Sequence, residues 1–320
     1  MSKAPTGLYR RSKGGGGPRP GPNAGAKPGA GAPHDGRGAD APARSARPDA
    51  GPAPAKEVTS LSNPLVKDLR GLHSKKERAE TGLFLAEGLK LVADAIEQNW
   101  PIRTLVHAVK VREQPMVRRI ADAARACGAL VVEVSDDVLV KISRRDNPQM
   151  VVAAFEQRLL SLDDIDPSGT TVWVALEGIK DPGNLGTILR TVDSVGATGA
   201  ILIGDTTDPF ALEAVRATMG SIFHVPLAAG TMAEFAAWKA KHRVPVVGTH
   251  LKGAVDYRSI AYPEPVVLLM GNEQSGLPDA YVELCDHVVK IPMAGRADSL
   301  NLAIATAVML YEIRRPRLGL

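Results

Sequence analysis

The sequence predicts an α/β protein with a mostly parallel sheet, and three observations lead to this class. Strand-like runs alternate with helix-like stretches through the second half of the chain. Several of the runs consist only of Val, Ile and Leu, which is typical of parallel strands that are covered on both faces. Three polar segments follow apolar runs, at the edge of the sheet where α/β proteins place their ligand sites.

Composition narrows the class further. The chain has 320 residues, 44% of them hydrophobic, which suggests about two domains. No apolar run approaches the ~18 residues of a membrane helix, and no apolar segment follows the first basic residues as in a secretory signal. The only cysteines, Cys127 and Cys285, are too few for a disulfide framework or a cysteine metal site, so we expect two small buried residues. We therefore expect a cytoplasmic protein with no membrane partner and no metal.

The charge is concentrated at the start of the chain. Residues 1–56 carry ten Lys or Arg and three Asp, whereas residues 57–320 carry 29 basic and 32 acidic side chains. The first segment is rich in Gly, Pro, Ala and Arg and has little apolar surface to offset the entropy of ordering, which predicts a disordered tail over 1–56. Weak contacts to nucleic acid and a purely solubilising role both remain open for it.

A small α/β unit is predicted over 57–157. It starts with a helix that places Leu65, Leu69 and Leu72 on one face. The opposite face carries a group of basic side chains, which are either a solvated surface or a nucleic-acid contact: Lys67, Arg70, Lys75, Lys76 and Arg78. The remaining pattern predicts strands over 84–88, 105–108, 130–134 and 150–155, with helices over 89–98, 116–127 and 138–142.

The larger unit is predicted over 170–320, after a linker at 158–169 that is rich in Asp, Ser and Pro. Its strands are expected over 171–176, 200–203, 245–248, 265–270 and 288–291, with a further apolar segment at 225–227. Its helices are expected over 185–195, 210–219, 231–241, 278–284 and 302–314. The alternation predicts a parallel sheet with helices on both faces.

The first polar segment is Asp181-Pro182-Gly183-Asn184-Leu185-Gly186, followed by Arg190. Asn184 stands where a helix N-cap belongs. Arg190 points away from the apolar face of the helix, near an end that favours anions rather than cations. It therefore either pairs with Asp193 three residues on or binds an anion, and the residues alone do not choose.

The other two segments are Gly271-Asn272-Glu273-Gln274-Ser275-Gly276-Leu277 and Asp298-Ser299-Leu300-Asn301. Gly271 allows a sharp turn or a close approach of the backbone to a ligand. Glu273 is either a solvated loop carboxylate or a site residue. Asp298 or Ser299 can cap the Ala-rich helix that follows, which leaves Asn301 without a structural role one turn in.

Taken together, the three segments are more specific than any of them alone. Asp-Pro-Gly-Asn-x-Gly-x-x-x-Arg, Met-Gly-Asn-Glu-x-x-Gly-Leu, Ile-Pro-Met and Ser-Leu-Asn occur in that order. This order resembles the motifs of the SpoU (TrmH) family of RNA ribose 2′-O-methyltransferases, in the SPOUT superfamily. The patterns around Ser60 to Lys67 and Phe84 to Gly88 resemble the small RNA-binding domain that precedes the catalytic domain in many ribosomal-RNA members.

The resemblance implies methyl transfer from S-adenosylmethionine to a ribose 2′-hydroxyl of RNA, on a catalytic domain with a deep trefoil knot. It also implies a homodimer through that domain, with the dimer completing each site. The matching catalytic positions are Arg190, Asn184, Glu273, Ser299 and Asn301. The matching cofactor positions are Leu269, Gly271, Ile291, Pro292, Ser299 and Leu300.

Arg190 matches the arginine usually assigned to activation of the hydroxyl. Because arginine stays protonated in proteins, a role as literal base is awkward. We expect instead that Arg190 binds an adjacent phosphate and stabilises the developing alkoxide, while the phosphate or water takes the proton. In this light the basic face of the first unit is a candidate RNA contact, and unpaired RNA is its expected target.

The expected substrate is 23S ribosomal RNA with guanosine favoured, by analogy with family members that carry the extra domain. Transfer RNA is one alternative, and a non-catalytic RNA-binding ribosome-assembly factor on the same fold is another. A nicotinamide-dependent oxidoreductase is a third, but the chain lacks the glycine fingerprint and the acidic ribose-binding residue after the first strand.

Overall fold

The computed structural model describes residues 56–251 and 254–320, which form two sheets in one compact unit. The predicted tail over 1–56 lies outside the described residues except for its last residue, Lys56, where the first strand begins. No strand was predicted at this position, because a strand of three residues has no readable periodicity.

The first sheet has five strands in the order β1-β4-β3-β5-β2. Strands β1, β4 and β3 run parallel, and β5 runs antiparallel to both β3 and β2. Its elements are β1 (Lys56–Val58), α1 (Pro64–Gly71), α2 (Lys75–Thr81), β2 (Leu83–Glu87), α3 (Leu89–Glu97), β3 (Ile102–Ala108), α4 (Pro115–Ala126), β4 (Leu130–Val134), α5 (Asp136–Ser143) and β5 (Val151–Glu156).

The second sheet has eight strands in the order β11-β13-β10-β12-β7-β8-β9-β6, and every pairing is parallel, as predicted. Strands β7, β8 and β12 are almost wholly buried. Its elements are β6 (Leu160–Ser161), β7 (Val172–Glu177), α6 (Pro182–Ser194), β8 (Gly199–Ile203), α7 (Leu212–Thr218), β9 (Leu227–Gly230), α8 (Met232–His242), β10 (Val246–Thr249), β11 (Val255–Asp256), β12 (Val266–Met270), α9 (Asp279–Val282), β13 (His287–Lys290) and α10 (Leu302–Leu318).

The structure differs from the expected first helix and from the expected linker. The single basic helix is in fact two helices, because α1 ends at the Leu72 cap and α2 begins after Ser74. Part of the predicted linker belongs to the second sheet, since β6 pairs with β9. The linker is therefore shorter than its composition suggested.

One apolar core runs through both sheets. Aromatic rings from the first unit pack on rings from the second, with Phe84 and Phe210 centroids 4.9 Å apart and Trp100 and Phe223 centroids 5.1 Å apart. The indole N–H of Trp100 also donates to the main-chain oxygen of Phe223 at 3.0 Å. Aromatic contacts of this kind add stabilisation beyond burial alone, so they help to hold the two units together.

Charged side chains reinforce the same contact. Arg78 was predicted on the exposed basic face, but only 4% of its surface is exposed. Its Nε and Nη2 donate to Asp208 Oδ2 at 2.9 and 2.7 Å, and its Nη1 donates to the Leu72 carbonyl at 2.8 Å. Arg78 is therefore a bridge between the units rather than an RNA contact. A second bridge joins Arg216 to the buried Glu87 at 2.8 Å.

The cysteines only partly match their prediction. Cys127 is exposed, contrary to expectation, and Cys285 is half-buried, where burial raises the pKa of its thiol to about 11. Within 56–251 and 254–320 no helix is long and apolar enough to cross a membrane. The same ranges contain no cluster of three or more His, Cys, Asp or Glu side chains that could hold a metal ion.

We expect Arg78→Ala to lower the free energy of unfolding by about 3 kcal/mol, because it leaves the carboxylate of Asp208 without its partner in a largely buried contact. Lys76→Ala is the matched control: its side chain is 78% exposed on the same helix, so the expected change is within about 0.5 kcal/mol. Denaturant unfolding of both variants measures the difference. Equal losses would contradict the bridging role.

Candidate active site

The three polar segments meet at one edge of the eight-stranded sheet. The first follows β7, the second follows β12, and the third lies between β13 and α10. Strands β7 and β12 are neighbours, and β10 separates β12 from β13. Because all of these strands run parallel, their carboxyl ends lie on the same side, and the loops that follow them come together.

The carboxylate of Glu273 joins the second segment to the first. It accepts hydrogen bonds from the side-chain amide of Asn184 at 3.2 Å, from the backbone N–H of Asp181 at 3.2 Å, and from the backbone N–H of Lys180 at 3.3 Å. Asn301 Nδ2 donates in turn to Asn184 Oδ1 at 3.0 Å. One chain of hydrogen bonds therefore connects all three segments, which the sequence had placed up to 120 residues apart.

The roles within this chain differ from the expected caps. Asp181 is the N-cap of α6, accepting from the Asn184 N–H at 2.6 Å, so Asn184 does not cap the helix and its side chain is free to reach Glu273. Asn301 is the N-cap of α10, accepting from Ala303 N–H at 2.9 Å. Neither Asp298 nor Ser299 has that role. Asn301 thus combines a cap through its oxygen with a bridge through its nitrogen.

The surroundings of Glu273 favour its charged form. Partial burial opposes ionisation, but hydrogen bonds from its own N–H, from Asn184 and from the backbone of Asp181 and Lys180 outweigh it and lower the pKa of the carboxyl. A carboxylate that accepts several N–H groups is stabilised in this way. Glu273 is therefore an ionised anchor at neutral pH and not a proton donor.

The 271–277 loop has a tightly closed shape. Gly271 lies so close to the returning chain that an added Cβ would be 2.2 Å from the Gly276 carbonyl carbon and the Leu277 nitrogen. Asn272 closes the turn: its Oδ1 accepts from Gln274 N–H at 2.8 Å and its Nδ2 donates to the Gly178 carbonyl at 2.8 Å. Sequence reasoning did not single out Asn272, although an amide directly after a buried strand was the available signal.

A cavity of about 500 Å³ opens beside this loop, next to β10, β13 and the start of α10. Of the predicted cofactor positions, Gly271, Ile291, Ser299 and Leu300 line it. Leu269 does not line it, because it is fully buried inside β12 with strands on both sides. Pro292 is exposed and also lies outside the lining. Apolar side chains such as Leu251 and Met270 alternate with polar ones such as Thr249 along the wall.

Arg190 is exposed on α6, outside the lining of the cavity. Within the described part of the chain its guanidinium makes no hydrogen bond or ion pair, while its main-chain oxygen accepts from Ser194 Oγ at 2.7 Å. Of the two alternatives for Arg190, the surface pair with Asp193 does not form, and Asp193 instead accepts from Ser221 Oγ at 2.8 Å. Four of the predicted basic residues are likewise exposed, on two helices rather than one: Lys67, Arg70, Lys75 and Lys76.

Comparison with known proteins identifies the family to which this fold and site correspond. The model of the SpoU rRNA methylase family matches residues 171–311, and that of the MRM3-like substrate binding domain matches residues 63–153. An AdoMet-bound rRNA methyltransferase from Sinorhizobium meliloti is 55% identical in its crystal structure, with a TM-score of 0.78 over 82% of this chain and 98% of that chain.

Two relatives carry more specific names. The 23S rRNA (guanosine(2553)-2′-O)-methyltransferase RlmP of Bacillus subtilis is 30% identical over 81% of this chain and 99% of its own length. The 23S rRNA (uridine(2479)-2′-O)-methyltransferase of Streptomyces viridochromogenes is 32% identical over 83% of this chain and 94% of its own length.

The fold and its site thus define a SPOUT-type α/β protein with a small α/β domain in front, which confirms the predicted fold class. The chain belongs to the SpoU rRNA methylase family. The resemblance read from the three motifs is confirmed with it.

We expect Gly271→Ala to be strongly destabilising, by more than about 2 kcal/mol, because the new methyl group meets backbone atoms that cannot move aside without opening the turn. Gly295→Ala is the matched control in a neighbouring loop, since an added Cβ there has nothing within 4 Å. Denaturant unfolding compares the two. If Gly271→Ala is as stable as Gly295→Ala, the tight closure of the loop is wrong.

Proposed function

We propose that this protein transfers a methyl group from S-adenosylmethionine to a ribose 2′-hydroxyl of ribosomal RNA. The observation that carries the proposal is the hydrogen-bond chain from Glu273 through Asn184 to Asn301. This chain lies at the edge of the cavity, and its Asn184 belongs to α6, the helix that also carries Arg190. The named relatives act on 23S rRNA, one at a guanosine and one at a uridine. We favour 23S rRNA, and guanosine stays a prediction.

The cavity fits the proposed cofactor. Its volume of about 500 Å³ lies within the range of ordinary small-molecule sites. Its lining combines apolar walls with the backbone of the 271–277 loop, where close approach requires Gly271. Gly271, Ile291, Ser299 and Leu300 are the residues that would hold the cofactor. When bound, S-adenosylmethionine supplies a methyl group whose bond to sulfur breaks as the bond to the 2′-oxygen forms.

The protein contributes position and charge. Glu273, Asn184 and Asn301 fix the start of α6, and with it the direction in which Arg190 leaves the helix. The guanidinium of Arg190 binds the phosphate next to the target ribose and stabilises negative charge on the 2′-oxygen. The proton passes to that phosphate or to water, because the guanidinium stays protonated. Aligning donor and acceptor accounts for much of the expected rate.

A homodimer through the catalytic domain is part of the proposal, with each copy completing the site of the other. Arg190 lies outside the cavity of its own chain, which fits a shared site. Helix α10, which packs on α6, exposes Ile304, Tyr311 and Leu318. Their spacing of seven residues puts them in one apolar stripe along the helix, as expected for a helix that packs against a second copy.

The domain assignments are proposals as well. We propose that residues 57–157 bind RNA through Lys67, Arg70, Lys75 and Lys76, that the 158–169 segment connects the two units although its strand β6 belongs to the second sheet, and that 170–320 form the catalytic domain. The trefoil knot and the cytoplasmic location stay predictions as well. Transfer RNA and a non-catalytic assembly role are the alternatives that an activity measurement separates.

We expect Arg190→Ala to lower the single-turnover rate of methyl transfer by about 100- to 1,000-fold, the loss typical of removing one electrostatic stabiliser of an oxyanion. Arg190→Lys is expected to lose at least about tenfold, since an ammonium does not provide the paired N–H groups of a guanidinium. The substrate is ribosomal RNA from a deletion strain, and Arg119→Lys, an exposed arginine on α4, is the control.

A near-normal rate with an unchanged pH profile in Arg190→Lys would contradict the guanidinium role. The enzyme assignment itself fails if the deletion strain loses no ribose methylation in ribosomal or transfer RNA. If only a transfer-RNA methylation is lost, transfer RNA and not ribosomal RNA is the substrate. Calorimetry that finds no binding of S-adenosylhomocysteine would support the assembly factor, and binding of NAD instead would support the oxidoreductase.

A further inference from the structure

An exposed ion pair borders the active site on the side of the first unit. Lys180 Nζ donates to Asp205 Oδ2 at 2.7 Å and to the Asp205 main-chain oxygen at 2.6 Å. The side chains are 57% and 89% exposed. Lys180 is also part of the site edge, because its backbone N–H donates to Glu273.

The loop that carries Asp205 is held between the two units. On one side, Thr207 N–H donates to the Ile179 carbonyl at 2.7 Å, which ties the loop to the start of the first polar segment. On the other side, Asp208 binds Arg78 of α2. The 204–208 loop is therefore a fixed connection from α2 to the active site.

This connection brings a second lysine to Asp205. Lys75 lies one helical turn before Arg78 on α2, so both side chains leave the same face of the helix, and Asp205 lies three residues before Asp208 in the loop. Hydrogen bonding to Lys180, with the charges of Lys180 and Lys75, lowers the pKa of the Asp205 carboxyl. In the part of the chain that the structure describes, the ammonium of Lys75 has no hydrogen-bond or ion-pair partner.

The Asp205 carboxylate, which is almost fully exposed, thus binds the ammonium of Lys180 and lies near the charge of Lys75. Exposed ion pairs of this kind contribute only about 0–1 kcal/mol, so a competing anion displaces the carboxylate at small cost. We propose that Lys75 and Lys180 together bind one backbone phosphate of the RNA substrate, which replaces Asp205 as the partner of Lys180. This inference rests on the proposed function, because it assigns a contact on the path of the RNA into the same site.

The position of the pair explains why an RNA phosphate is the ligand. Lys67, Arg70 and Lys76 extend the basic surface from Lys75 along α1 and α2, and the Glu273 network lies on the other side of Lys180. A chain of phosphates that crosses the first unit on its way to the site passes Lys75 and Lys180. Lysine serves this purpose as a point charge that needs no fixed geometry.

The test measures binding of the full chain to a fluorescein-labelled oligouridylate and to transcribed 23S rRNA over a series of KCl concentrations. The variants are Lys75→Gln with Lys180→Gln in one chain, and Asp205→Asn alone. Lys239→Gln is the control, since Lys239 also pairs with an aspartate, Asp286 at 3.1 Å, on another part of the surface. Binding of S-adenosylhomocysteine and the denaturant midpoint check that each variant is folded.

The double variant is expected to weaken RNA binding several-fold and to lower the slope of log affinity against log salt by about one, the loss of one phosphate contact. Asp205→Asn is expected to bind RNA several-fold more tightly at low salt, because no carboxylate has to be displaced. Lys239→Gln should match the wild type, and S-adenosylhomocysteine binding should be the same in all.

A double variant that matches Lys239→Gln would overturn the phosphate site. So would weaker binding by Asp205→Asn, which would show that the pair only braces the loop. If either happens while the wild type methylates RNA, the phosphate site is lost and the proposed function stands. If the wild type binds neither RNA nor S-adenosylhomocysteine, the proposed function fails and this site fails with it.

Discussion

The site depends on the hydrogen bonds that the carboxylate of Glu273 accepts. A partly buried carboxylate needs donors, and Glu273 finds them in Asn184 and in the backbone at the start of α6. This requirement holds the 271–277 loop against α6. Asn184 then uses its oxygen to accept from Asn301, which fixes the start of α10. Loop, helix and helix start are thereby placed relative to one another by side chains that also face the cavity or its edge.

Specific side-chain contacts also connect the first unit to this site. The aromatic contacts around Phe84 and Trp100 and the buried bridge from Arg78 to Asp208 join the two units into one compact body. Asp208 belongs to the loop that also contacts Ile179 and Lys180 at the active-site edge. A substrate bound across the first unit would therefore lie beside the edge of the active site.

The sequence predicted much of this and missed the parts that depend on distant partners. Helix α6 was found because its apolar period is strong, and β12 was found because it is a continuous apolar run. Strands β1, β6 and β11 have two or three residues and no readable pattern. The apolar spacing of Leu65, Leu69 and Leu72 is followed directly by a basic stretch that is also typical of a helix. The sequence pattern therefore did not show that one helix ends and another begins around Ser74.

The site residues were likewise predicted where the pattern is local and missed where a distant partner decides. The motif order identified the family and the residues that meet, but the local caps were misassigned because Asp181 and Asn184, or Ser299 and Asn301, are all good cap formers within one short segment. Arg78 resembled its exposed neighbours in composition. Only the partner, Asp208, lying 130 residues away, shows that it is buried.

The most direct test of the Glu273–Asn184–Asn301 unit is a double-mutant cycle on the single-turnover methyl-transfer rate. Glu273→Gln weakens one end, and Asn301→Asp keeps the oxygen that caps α10 while it removes the donor to Asn184. Residues that act as a unit are not additive, so the double variant should be about as slow as the slower single variant, with a coupling energy above about 1 kcal/mol. Rate losses that simply multiply would contradict the account.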